Sequence, residues 1–132
     1  MSDADLVLRY LDLTNSGDTE AAGGFEDPDI RFWLSGRLVV SGDLTPAQHG
    51  KAAAGVHQTF PGGYTLHIRS VTEQDGRVAI EAQGDGVFAD GSRYTPDYAF
   101  FFTVRDGRIT SMHEYIDTEY VGATFKLGVR QP

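Results

Sequence analysis

Apolar residues fall at helical spacing in the first sixty positions and at alternate positions after that, so the pattern predicts helices first and a sheet second. Leu6, Val7, Tyr10, Leu11 and Leu13 form a stripe that predicts a helix from Asp3 to about Asp18, with Asp3 as N-cap and Gly17 as a left-handed stop. A short helix over Thr19–Phe25, a strand over Asp29–Leu34 and another over Leu38–Ser41 are expected next. Thr45, Pro46 and Gln48 suit N-cap, N1 and N3 of a helix running to about Phe60, where Pro61-Gly62-Gly63 ends it. From Tyr64 the alternation predicts four long strands, Tyr64–Glu73, Arg77–Ala89, Tyr94–Arg105 and Arg108–Asp117. Asp75-Gly76, Asp90-Gly91 and Asp106-Gly107 join them, and Asp-Gly between alternating runs is a hairpin signal. Gly84 and Gly86 are places for a kink or bulge, and a closing helix is expected over Thr118–Phe125. The sum is an α+β fold: a cone-shaped, curved antiparallel sheet wrapped around N-terminal helices, open at one end to an apolar ligand.

With 132 residues the chain is expected to form one domain. Its 11 Lys+Arg against 19 Asp+Glu give a net charge of -8, which repels a phosphate backbone and argues against nucleic acid. The absence of cysteine excludes disulfides and thiolate chemistry. No apolar run reaches bilayer length, and MSDADLVLRYLDL lacks the basic and apolar regions of a signal peptide, so no membrane partner and a cytoplasmic location are expected. His49, His57, His67 and His113 show no metal-ligand spacing. No phosphate loop follows a strand into a helix either, so neither metal nor cofactor is expected.

The candidate chemistry lies on the last strand. Residues two apart share a face, so His113, Tyr115 and Asp117 are expected to converge on one side of the sheet. In an apolar cone Asp117 would have a raised pKa and serve as a general base; its alternative is to cap the helix that starts at Thr118. Tyr10 is either a hydrogen-bond donor to a ligand oxygen or a core residue of the first helix. His113 is either a partner that tunes Asp117 or a structural residue. Trp33, Phe60, Tyr98, Phe101 and Tyr115 are expected to line the pocket or the core, while Gln83 and Asp85 belong either to the pocket or to a solvated stripe. Phe100-Phe101-Phe102 predicts a strand covered on both faces, one by the cone's interior and one by a subunit partner.

Three motifs resemble the nuclear transport factor 2-like superfamily, and within it the SnoaL-like group related to ketosteroid isomerases and polyketide cyclases. They are Arg9-Tyr10 followed by Asn15-Ser16-Gly17-Asp18; the Gly-containing strand ending in Ala89-Asp90-Gly91; and Val104–Ile109 followed by His113-Glu114-Tyr115-Ile116-Asp117. The resemblance implies the cone fold, homodimerisation through the sheet's outer face, and a cyclase or isomerase acting on a hydrophobic carbonyl compound. It puts Tyr10 at the isomerases' oxyanion tyrosine. Trp33 stands where those enzymes have their aspartate base, and Tyr98 or Ala99 where they keep a carboxylic acid protonated; steroid isomerisation by that mechanism is therefore not expected. Asp117 matches the last-strand aspartate of SnoaL-like cyclases and limonene epoxide hydrolases. Gln83-Gly84-Asp85 stands at the hydrolases' Arg-x-Asp, with the acid and without the arginine, so an epoxide hydrolase using Asp85 and Asp117 is a second reading. A non-catalytic module that binds a small hydrophobic molecule is the third.

Overall fold

A computed structural model describes residues 1–132. Helix α1 covers Asp3–Asn15 and starts on Ser2, whose hydroxyl accepts from the Asp5 amide while Asp5 reaches back to the Ser2 amide. This reciprocal box takes the cap from Asp3, the residue expected to hold it. Helix α2 is short, Thr19–Gly23 with Asp18 as N-cap, and strand β1 spans Glu26–Leu34. The strand expected over Leu38–Ser41 is a turn, closed by the Ser41 amide on the Leu38 carbonyl at 2.8 Å. Strand β2 follows it at Gly42–Leu44. Helix α3, Pro46–Thr59, begins with the Thr45/Gln48 capping box and keeps Pro46 in its first turn.

Strands β3 (Tyr64–Gln74) and β4 (Arg77–Val87) form the first hairpin. The third expected strand is divided into β5 (Arg93–Tyr94) and β6 (Asp97–Arg105), because Pro96 has no amide hydrogen to give the ladder. Strand β7, Arg108–Ile116, runs into helix α4, Thr118–Phe125. The turns at Asp75-Gly76 and Asp106-Gly107 have positive φ at both residues, which matches the right-handed twist of the strands they join. The strand order is β2-β1-β7-β6-β4-β3, with β5 beside β4. Every pair is antiparallel except β1–β7, which is parallel, so the sheet is mixed where an antiparallel one was expected. The architecture is α+β, a curved open sheet with helices on its concave side.

Bulges set which side chains face inward. Between Ser111 and Ile109 the register on β6 shifts by one residue, leaving Thr110 extra. Ile109 and Met112, three residues apart, are consequently both buried. Arg69 is the corresponding extra residue in β3. On the concave face Ile80, Ala82, Phe100, Phe102, Phe32 and Met112 pack against Leu6, Val7, Tyr10 and Leu11 of α1 in one cluster. Each Leu, Val, Ile, Phe or Met side chain among them contributes roughly 1.5–3 kcal/mol when fully buried. A second cluster closes the far end, built from Leu38, Phe60, Tyr94 and Val121.

No bulge falls at Gly84 or Gly86 in the pairing of β4 with β3; both glycines make room on the strand. A Cβ on Gly86 would stand 2.5 Å from the Phe60 ring, and one on Gly84 would collide with the Tyr64 phenol. Gly86→Ala should therefore cost about 1–3 kcal/mol, since the ring must leave its place. Gly55→Ala, where a new Cβ in α3 meets nothing, should gain about 0.5–1 kcal/mol. Urea unfolding midpoints that move in opposite directions would bear out both assignments; equal shifts would contradict them.

Candidate active site

Between α3 and the concave face, past the end of α1, lies a cavity of about 660 Å3 with a mostly hydrophobic lining. The sheet contributes Phe32, Leu34, Leu66, Tyr98, Phe100, Met112 and Glu114, and α3 contributes His49, Ala52, Ala53 and Val56. Helix α3 has no fully buried residue of its own, because its inward face looks across this space rather than onto side chains. Tyr64, Phe60 and Phe125 enclose the far end.

Glu114 is the acid in this cavity. It pairs with Phe100 across β6 and with Leu34 across β1, and it lies between the inward positions Met112 and Ile116. Burial pushes its carboxyl up to about 7, with no hydrogen bond to offset the loss of water. No side-chain polar atom in the protein is sealed away without a partner, so what remains accessible of this carboxyl opens on the cavity. Near it, the Tyr64 and Tyr98 hydroxyls share one hydrogen bond of 2.5 Å. Burial raises Tyr64 to about 12, an increase that its bond to Tyr98 moderates, and raises Tyr98 much further. Both phenols therefore keep their protons at neutral pH. One proton is used in the mutual bond, which leaves one O–H for a ligand. His49 lies flat on Phe32, with centroids 3.8 Å apart and planes within 6°. Burial lowers its pKa to about 4, so the ring is neutral at pH 7.

Most of the residues singled out from the sequence lie elsewhere. Asp117 is exposed and caps α4, accepting from the Tyr120 amide at 3.1 Å. His113 and Tyr115 do share a face, but it is the outer one, where both rings lie 5.3 Å from Trp33. Trp33 borders the cavity by position while its indole sits with these two. Phe101 joins them, 5.6 Å from Tyr115 and 38% exposed. Tyr10 is buried in the core with its hydroxyl donating to Glu26 at 2.6 Å. Asp85 is held by Arg93 at 2.7 Å, and Gln83 accepts from Arg69. Tyr98 and Phe60 alone among the named residues present their rings to the cavity. Neither Asp85 nor Asp117 lines the cavity, and each carboxylate is already engaged, by Arg93 and by the Tyr120 amide, which weakens the two-carboxylate basis of the epoxide hydrolase reading.

Glu114, Tyr64 and His49 went unread in the sequence. Glu114 had a visible signal: it has the parity of the apolar Met112 and Ile116, an acid in a buried stripe. His49 lies at helical spacing from Ala52, Ala53 and Val56, again the inward side.

A model of the SnoaL-like domain matches residues 7–112, most of the chain. The protein belongs to the SnoaL-like family. Among solved structures it is similar to TerC co-crystallised with polyporic acid, at 25% identity and TM-score 0.74, covering 95% of this chain and 96% of that one. It is also similar to IdmH, a candidate polyketide cyclase from Streptomyces antibioticus, at 19% identity and TM-score 0.78, over 96% and 99% of the two chains. A nuclear transport factor 2-like protein of Cytophaga hutchinsonii matches at 16% identity and TM-score 0.70, over 92% and 95%. The fold is that of the nuclear transport factor 2-like proteins. A comparison with curated protein sequences finds no match. No helix is long and apolar enough to cross a membrane.

The raised carboxyl of this SnoaL-like protein has a consequence for stability. Glu114 titrates near 4.5 unfolded and near 7 folded, so over that interval the folded state binds more protons. Its contribution therefore falls as pH rises from 4.5 through 7, reaching a cost on the order of 3 kcal/mol above that window. Glu114→Gln removes the charge and keeps the shape. By urea unfolding, the variant should exceed the wild type by about 2–3 kcal/mol at pH 8 and by under ~1 kcal/mol at pH 5. Parallel pH profiles would mean an ordinarily solvated carboxylate.

Proposed function

We propose that this SnoaL-like protein is an acid–base catalyst, a cyclase or isomerase, for a hydrophobic carbonyl-bearing small molecule held between α3 and the sheet. The observation that carries the reading is Glu114, a carboxyl raised to about 7 in an apolar cavity beside a pair of phenols. A group poised at the working pH can both remove and return a proton. Its carboxylate would take the proton α to the carbonyl, the electron pair would move onto the carbonyl oxygen, and the free O–H of the Tyr64–Tyr98 pair would hold the resulting enolate. Glu114, then protonated, would return the proton at another carbon of the enolate; in a cyclisation the enolate carbon would instead add to a second carbonyl of the same molecule, breaking its C=O π bond, while Glu114 gives its proton to that oxygen. In this reading Glu114 takes the part that the sequence offered to Asp117, and the phenol pair takes that of Tyr10. Apolar walls exclude water from the enolate and strengthen each hydrogen bond within.

Support for a ligand of this kind also comes from TerC, co-crystallised with polyporic acid, and from IdmH, a candidate polyketide cyclase. Polyporic acid and a panel of lipophilic ketones are therefore the first compounds to try, by native mass spectrometry followed by incubation. Glu114→Gln should keep binding and lose about 10²–10⁴ in turnover. Asp117→Asn should turn over at close to the wild-type rate. Turnover retained by the first variant and lost by the second would overturn the assignment, and binding without turnover in any form would favour the non-catalytic module.

The partner for the outer face is a second copy of the chain. Trp33, His113, Tyr115 and Phe101 form an aromatic patch there, with Tyr115 45% and Phe101 38% exposed. Phe101→Arg should convert a dimer to a monomer in sedimentation at micromolar concentration, because a guanidinium buried opposite its own copy has no counter-ion. An unchanged sedimentation coefficient would remove this patch from the interface.

A further inference from the structure

We propose that His49 is a second ligand-contacting group, a hydrogen-bonding imidazole on the α3 wall opposite Glu114, and that the ligand accordingly carries a second oxygen function one ring's width from its carbonyl. The inference rests on the cavity being the ligand site, and it narrows the ligand to hydroxy-ketones or dicarbonyl ring compounds.

The imidazole lies face to face on Phe32 and makes no side-chain hydrogen bond within the protein; since no sealed polar atom lacks a partner, its ring nitrogens remain accessible where the residue borders the cavity. A leucine or phenylalanine there would pack on Phe32 without the cost of a desolvated polar group. Lys51, the charged residue of the α3 wall, is exposed, and the other residues of that wall either ask for nothing or are already bonded. Ala52, Ala53 and Val56 are apolar, the Gln48 side chain is used in the capping box, and the Thr59 hydroxyl donates to the Gly55 carbonyl. His49 is thus the partnerless polar ring on that wall.

Its position relative to Glu114 follows from the sheet. Phe32, on which the ring lies, pairs with Met112 of β7, and Glu114 is the next inward residue on the same strand. Alternate residues on a strand are roughly 7 Å apart. A ligand oxygen at Glu114 and the phenols, and another at His49, would therefore be separated by about the width of one ring. The imidazole is neutral near pH 7, so it can donate through one nitrogen and accept through the other. A hydroxyl and a carbonyl oxygen are both suitable partners.

The test compares two ketones that differ in one oxygen, 1-tetralone and 6-hydroxy-1-tetralone, by isothermal titration calorimetry. Wild type should bind the hydroxy-ketone about 3–10-fold more tightly, the worth of one additional hydrogen bond. In His49→Phe, which keeps the ring stack, that ratio should fall to about one, and His49→Gln should restore part of it. As a readout that needs no variant, the ring 15N signals of His49 should move on adding 6-hydroxy-1-tetralone and stay in place with 1-tetralone. If both ketones bind but the ratio survives in His49→Phe, or the 15N signals do not move, the role of His49 is overturned and the cavity remains the site. If neither ketone binds to any form, the inference and the site reading fall together.

Discussion

The packing of α1 onto the concave face of the sheet is the contact on which everything else in the molecule depends. Leu6, Val7, Tyr10 and Leu11 can be buried only if one parity of each strand is apolar and faces them, as Ile80, Ala82, Phe100 and Phe102 do. Because a strand's side-chain period is two, that requirement decides the face of every other residue on the sheet. The helix runs only from Asp3 to Asn15, so the inward parity continues beyond its end into space covered by α3. A cavity results where core would otherwise be. The bulges at Thr110 and Arg69 keep the parity apolar along strands whose sequence would otherwise lose step.

What occupies that parity beyond the core is costly to fold around. A carboxyl with no hydrogen bond, a neutral imidazole with no partner and two phenols bonded only to each other are poor material for stability. Each faces the same space, and each has its ionisation pushed toward the neutral form by burial. Two glycines of β4 give up side chains so that the Tyr64 and Phe60 rings can lie on the strand. Expensive groups converging on one cavity are the physical mark of a site, since groups that destabilise the fold are kept for what they do.

The fold was legible because its signals were local. The Asp-Gly turns with both φ positive, the Thr45/Gln48 box and the alternation from Tyr64 onward each depend on a few neighbouring residues. Parallel pairing of β1 with β7 was not legible, since it joins segments some eighty positions apart and nothing in either one names its partner. Pro96 was a visible break that the alternation around it concealed. The site was harder to see for one reason: His113, Tyr115 and Asp117 look like chemistry, while Glu114 between them looks like spacing. Only the burial of Met112 and the half-burial of Ile116 on the same parity, against the exposure of His113, Tyr115 and Asp117, show which set faces inward. Asp117 followed its other option as the cap of α4, an outcome that depends on where β7 ends. Tyr10 lay on the apolar stripe of α1 and went into the core with it.

The central claim is that Glu114 on the inner face, and not the row beside it on the outer face, is the group tuned for proton transfer. A side-chain carboxyl 13C titration of the ligand-free protein tests it most directly, with the Glu114 signal assigned by its loss in Glu114→Gln. A midpoint near 7 is the predicted result. A midpoint near 4.5, the ordinary glutamate value, would mean that water reaches this carboxylate freely, and the account of the cavity as a site of acid–base chemistry would be contradicted.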